Sequence, residues 1–106
     1  MEINPENYFY LNNGSVLRNL ADLSDSLKAM DDSTFFHHVN DERNDFLNWI
    51  SEIFNDKSLA KKVSQIKEKE KLSNVISRHI ARKDLQLKRK ERKSSLINTL
   101  KEVYNG

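Results

Sequence analysis

The chain has 106 residues, no cysteine, two glycines, one proline and 32% charged residues, with a net charge of +2. That length fits one domain able to bury a real core, and the missing cysteines exclude disulfides and thiolate metal sites. No apolar run reaches the ~20 residues of a membrane span, and the acidic start MEINPENYFYL lacks the basic and apolar regions of a signal peptide.

Charge is strongly segregated. Residues 1–56 carry three basic against eleven acidic residues, giving −8, and residues 57–106 carry fifteen against five, giving +10. Such a split suits a basic segment for an acidic partner, or two halves that pack together and neutralise each other. Few breakers and many charges favour helices. The expectation is an all-α class: a compact helical domain of five or six helices with an aromatic N-terminal extended segment. Residues 1–106 read as a single domain, with an aromatic helical core over 8–66 and basic C-terminal helices over 67–106 that can project from it.

Tyr8-Phe9-Tyr10-Leu11 is an aromatic run ahead of Asn12-Asn13-Gly14, a turn signal. With no convincing second strand to pair with, the run is expected to lie across helices as a hydrophobic lid. Ser15 or Asn13 then caps a helix in which Val16, Leu17, Leu20, Leu23, Leu27 and Met30 share one arc. Asp31, Asp32 or Ser33 caps a short helix over 34–39. There Phe35, Phe36 and Val39 share a face, His38 sits at its edge, and His37 points away, about 200° round the wheel from Phe35. His38 is therefore the candidate for a buried, hydrogen-bonded side chain and His37 for an exposed one. Asn44-Asp45 opens the next helix, where Phe46, Leu47, Trp49, Ile50, Ile53 and Phe54 form the most amphipathic face of the chain. Asn55-Asp56 ends it and caps another, with Leu59, Ala60, Val63 and Ile66 on one side.

The KEKEK run from Lys67 reads as a solvated helix or a joint. Leu72, Val75, Ile76, Ile80 and Leu87 form a further stripe, interrupted by His79 and Lys83. Leu96, Ile97, Leu100, Val103 and Tyr104 fall about a quarter turn out of phase with it, which predicts a break or kink near Lys93–Ser95 capped by Ser94 or Ser95. The core is expected from Leu17, Leu20, Leu23, Leu27, Phe35, Val39, Phe46, Trp49, Ile50 and Ile53, joined by Val63, Ile76, Ile80, Leu96, Leu100 and Val103.

One pattern has a counterpart elsewhere. Phe9 with Gly14, Leu20 and Leu23, then His38-Val39, then Asn44-Asp45-Phe46 with Trp49-Ile50, then Asp56 with Leu59-Ala60 resembles a small, mainly archaeal family known only as a domain of unknown function. The similarity covers about residues 8–60, and its most specific piece is Asn-Asp-Phe-x-x-Trp-Ile. The resemblance implies no activity, substrate or cofactor.

Chemistry has little support. His37, His38, Asp41, Asp45 and His79 lack the spacing of a metal site, and adjacent histidines on a helix diverge. An acid–base pair of His38 with Asp45 would have no nucleophile, second carboxylate or glycine-rich loop beside it. No catalytic residue, metal, cofactor or small-molecule ligand is indicated. The leading expectation is a non-enzymatic interaction module that binds a partner chain or self-associates, with partner contacts at Leu72, Ile76, Ile80 and Leu87. The alternative is sequence-independent nucleic-acid binding through Arg82, Lys83, Lys88, Arg89, Lys90, Arg92 and Lys93, with Asp84 and Glu91 the only acidic residues among them. The absence of aromatics from Asn55 to Val103 denies it a base-stacking platform. No role at a membrane is expected, since the basic segment lacks bulky apolar anchors, and a cytoplasmic location fits the cysteine-free composition.

Overall fold

The computed structural model describes the backbone of residues 3–105 and the side chains of residues 3–88. After a 3-10 turn at Pro5–Asn7, two short strands, β1 (Phe9–Tyr10) and β2 (Val16–Leu17), precede five helices. These are α1 (Leu20–Ala29), α2 (Asp32–His38), α3 (Asp45–Glu52), α4 (Lys57–Val63) and α5 (Lys69–Asn105). The molecule is mainly helical, as its composition implies. No helix among the described residues is long and apolar enough to cross a membrane.

The aromatic run finds a strand partner after all. Phe9 pairs with Leu17 and Tyr10 with Val16, antiparallel. The Asn13 side chain accepts the Ser15 N–H at 2.9 Å, Gly14 takes φ +91°, and the Leu11 N–H donates to the Ser15 carbonyl at 2.8 Å. An Asn-Gly turn between two apolar pairs closes a hairpin. Val16 and Leu17 therefore belong to a strand, not to the first turn of α1. That helix starts four residues later than the apolar spacing implies, at an N-cap supplied by Asn19, whose side chain accepts the Asp22 N–H at 2.8 Å.

The other caps are those read from the sequence. Asp31 accepts from Thr34, Asn44 from Leu47 and Asp56 from Leu59, each at about 3 Å. Each satisfies an N–H that a helix start leaves unpaired. Asn55 takes a positive φ of 50° between α3 and α4, a conformation asparagine tolerates better than most residues.

The core gathers Leu17, Leu23, Leu27, Phe35, Val39, Phe46, Trp49, Ile50, Val63 and Ile76, as the amphipathic faces predict, and adds Leu11, Met30, Leu59 and Leu72. Leu20, Ile53 and Ile80 pack against it half-buried. Leu96, Leu100 and Val103 lie outside the described side chains. Phe36 departs from its predicted face: it is 52% exposed and meets Phe35 only edge-on, at 5.2 Å between ring centroids. Trp49 sinks its ring while its indole N–H donates to the Asn7 carbonyl at 2.8 Å, which pins the N-terminal turn to α3.

Helix α5 lies along α1, and two serines allow the close approach. Ser73 Oγ donates to the Ser24 carbonyl at 2.8 Å, and Ser24 Oγ donates to the Ser73 carbonyl at 3.0 Å. The pair is fully sheltered, so each hydroxyl needs the partner the opposite helix supplies. At the start of α5, Lys69 Nζ donates to the Met30 carbonyl at 2.8 Å and meets Asp32 Oδ1 at 2.7 Å. This joins α5 to the α1–α2 corner.

The break predicted near Lys93–Ser95 is absent. α5 runs unbroken from Lys69 to Asn105 over 37 residues. It contains no glycine or proline to stop it. The first apolar stripe packs into the body through Leu72 and Ile76, and the second, from Leu96 on, lies outside the described side chains. From Ala81 to Lys88 every side chain is exposed.

Candidate functional site

Two histidine–aspartate pairs mark the polar interior, and they are built differently. His38, at the end of α2, is 5% exposed and lies against Phe9 and Phe46, with ring centroids at 5.1 and 5.4 Å. Its Nε2 accepts the Asn12 N–H at 3.0 Å. The proton must therefore sit on Nδ1, which donates to Asp45 Oδ2 at 2.9 Å. Both ring nitrogens are engaged, one with the hairpin turn and one with the start of α3. An imidazole bonded this way has no lone pair facing solvent for a substrate proton. His38 acts as a tie between three segments.

His37 is exposed on the opposite side, as the wheel places it. Its carbonyl accepts from Arg43 Nη2 at 2.8 Å and Nε at 3.2 Å, which closes the loop between α2 and α3. His38→Ala is expected to cost about 1–3 kcal/mol, since it removes a buried ring together with its hydrogen bonds to Asn12 and Asp45. In thermal unfolding the variant should melt lower while its far-UV spectrum stays that of a folded helical protein.

The second pair joins elements far apart in the chain. Asp56, the N-cap of α4, is buried at 9% exposure. Its Oδ1 accepts the Leu59 N–H at 3.0 Å. Its Oδ2 accepts from His79 Nε2 at 2.8 Å and from Lys83 Nζ at 2.7 Å, both on α5. With its proton directed at Asp56, His79 turns Nδ1 toward Lys62 Nζ of α4, at 3.4 Å. Burial pushes the Asp56 carboxyl up, but the Lys83 ammonium, the Leu59 N–H and the His79 ring together outweigh it and lower its pKa to about 2.

This network borders a cleft of about 430 Å³ where α5 leaves the body. Leu20, Ala21, Phe54, Ile80 and Leu87 give the cleft apolar walls, and Asp56, His79 and Lys83 give it a polar edge. The histidines do not converge: His38 belongs with Asp45 and His79 with Asp56. Among the described residues no three His, Asp or Glu side chains come together in a way that could hold a metal ion.

The expected partner contacts divide. Leu72 and Ile76 are 1% and 0% exposed, so they pack in the chain's own core and have no surface to offer another chain. Their stripe is covered by the body itself, chiefly through α1, which a helical wheel alone cannot disclose. Ile80 is half-buried, and Leu87 is 60% exposed. Of the expected nucleic-acid contacts, Arg82, Lys83 and Lys88 are exposed on α5. Lys83 is drawn back to Asp56, and Lys88 sits 3.4 Å from Asp84. Arg89, Lys90, Arg92 and Lys93 follow on the same helix, with side chains outside those described.

Sequence reasoning missed the role of Asp56, His79 and Lys83 as one network. The available signal was the interruption of an apolar stripe by His79 and Lys83, four residues apart, since polar groups on a buried face require a partner of matching chemistry. No family model, curated protein or solved structure matches the chain.

Proposed function

We propose that the protein is a non-enzymatic helical interaction module that pairs with a second copy of itself, the outer part of α5 in one copy meeting the acidic half of the other. The carrying observation is the course of α5. Beyond Ala81 its described side chains are all exposed, and Leu85 and Leu87 stand out at 49% and 60%. Helices draw most of their stability from packing an amphipathic face, so a long, exposed one invites a surface to lie on. Leu87 continues the seam of Ile76 and Ile80 beyond the body, at the edge of the apolar cleft. The −8 and +10 halves give each copy both sides of a complementary pair. The tight tie of His38 to two backbone segments favours a structural histidine over a catalytic one. The unknown-function family that residues 8–60 resemble brings no activity to set against this reading.

Light scattering tests it. The chain alone should show a dimer mass at low salt, and Leu87→Asp should return it to a monomer without loss of helix signal. Monomer at every concentration and salt would remove the proposal. Leu72→Asp cannot serve here, because it would damage the core instead of an interface.

A second reading, sequence-independent nucleic-acid binding, draws on Arg82 and Lys88 exposed at the base of the basic run. Binding of a random duplex should then weaken steeply as salt rises, through counterion release.

A further inference from the structure

Three cations line one recess, and none of them forms an ion pair among the described residues. Lys62, on the last turn of α4, and Arg78 and Arg82, one turn apart on α5, line a depression of about 280 Å³ with Val75 and His79. The lysines of α5 with described side chains find carboxylates: Lys69 meets Asp32, Lys71 meets Glu68, Lys83 meets Asp56 and Lys88 meets Asp84. Among the described residues, no carboxylate lies within salt-bridge distance of Lys62, Arg78 or Arg82. Like charges four residues apart on a helix repel, and a third brought in from α4 adds to that cost. A bound anion would relieve it.

The recess also has a defined floor. His79 is 6% exposed, and its ring is fixed from behind by Asp56. Lys62 spends only one long contact, 3.4 Å, on His79 Nδ1, which leaves its other two protons free. Two guanidinium forks and an ammonium match the oxygens of a tetrahedral oxyanion, to which arginine donates paired hydrogen bonds. The single apolar wall, Val75, leaves room for part of whatever bears the anion.

We propose that Lys62, Arg78 and Arg82 form a binding site for one phosphate-type oxyanion, a free phosphate or a phosphomonoester, at the base of the exposed part of α5. The site does not depend on self-association, since none of its residues belongs to the apolar seam of Ile80 and Leu87.

NMR titration of the full chain with inorganic phosphate, at constant ionic strength held by chloride, tests the site. Saturable shifts are expected in the Arg78 and Arg82 side-chain signals and in the His79 ring. In Arg78→Gln/Arg82→Gln the affinity should fall about tenfold or more, as loss of paired charge-assisted bonds implies. Both arginines are exposed, so this variant should keep its helix signal and melting temperature, and folding does not confuse the result. A parallel titration with phosphoserine separates the two sources: tighter binding than inorganic phosphate assigns the site to a phosphomonoester, weaker binding to the free ion. Shifts that fail to saturate, that chloride alone reproduces, or that persist in the double variant would overturn the site.

Discussion

Asp56→Ala is expected to lower the unfolding free energy by about 3–5 kcal/mol, the usual cost of removing one partner from a buried charged network. Small domains have only about 5–15 kcal/mol in total, so the variant should stand close to unfolding at room temperature. The residue does two jobs with one carboxylate. Oδ1 caps α4 through Leu59, and Oδ2 holds His79 and Lys83 of α5. Asp56→Asn keeps an oxygen for the cap while discarding the charge, so it should lose less. Lys83→Ala should lose less again, because its side chain is 58% exposed and water replaces part of what the pair supplied. Urea denaturation ranks the three. The same residue sets an acid limit. Its pKa in the folded protein, about 2, lies below the ordinary 3.8. The unfolded chain therefore binds the proton more readily, and the stabilisation is complete above about pH 5 and lost as pH falls toward 2. Urea midpoints measured across that window should fall less steeply in Asp56→Asn than in the native chain.

Phe46→Ala should cost a similar amount, about 3–5 kcal/mol, by a different route. Phe46 is 1% exposed and sits among Phe9, Phe35 and His38, with ring centroids at 5.1, 6.4 and 5.4 Å. Its loss opens a cavity that touches the hairpin, α2 and α3 at once, and the rings around it cannot all collapse inward. Phe36→Ala is the matched control: at 52% exposure it should change stability by less than about 1 kcal/mol. Equal losses in the two variants, measured by thermal unfolding, would contradict this placement of the aromatic cluster.

How far the sequence could be read depended on the range of the interaction. Caps at Asp31, Asn44 and Asp56 were legible because each bonds an N–H three residues away. The different fates of His37 and His38 followed from helix angle alone. Val16 and Leu17 were misplaced because two adjacent apolar residues fit a strand as well as a helix, and only the Asn13-Gly14 turn between Tyr10 and Val16 carried the hairpin signal. The stripe through Leu72 and Ile76 announced a buried face without saying that the chain itself would bury it. The Asp56–His79 contact spans 23 residues, and the His38–Asn12 contact spans 26. Nothing local marks such pairs. The convergence of Lys62 with Arg78 and Arg82 was hidden for the same reason, since α4 and α5 had first to be docked. Phe9, Gly14, His38, Asn44, Phe46, Trp49 and Asp56 serve packing, turns, ties and caps.

Helix α5 is seated in the core at one end and reaches Asn105 at the other as one hydrogen-bonded rod. Between Ala81 and Asn105 it advances about 36 Å, at about 1.5 Å per residue. Lys69, held by Met30 and Asp32, and Ser73, held by Ser24, fix the azimuth of its inner end. Orientation is therefore transmitted along the rod like rotation along a shaft. A tilt of about 10° at the root moves the far end by about 6 Å, and one residue inserted past Lys88 turns every later position by about 100°. Residue spacing along this shaft, more than the identity of any one basic side chain, sets the direction in which its distal face is offered.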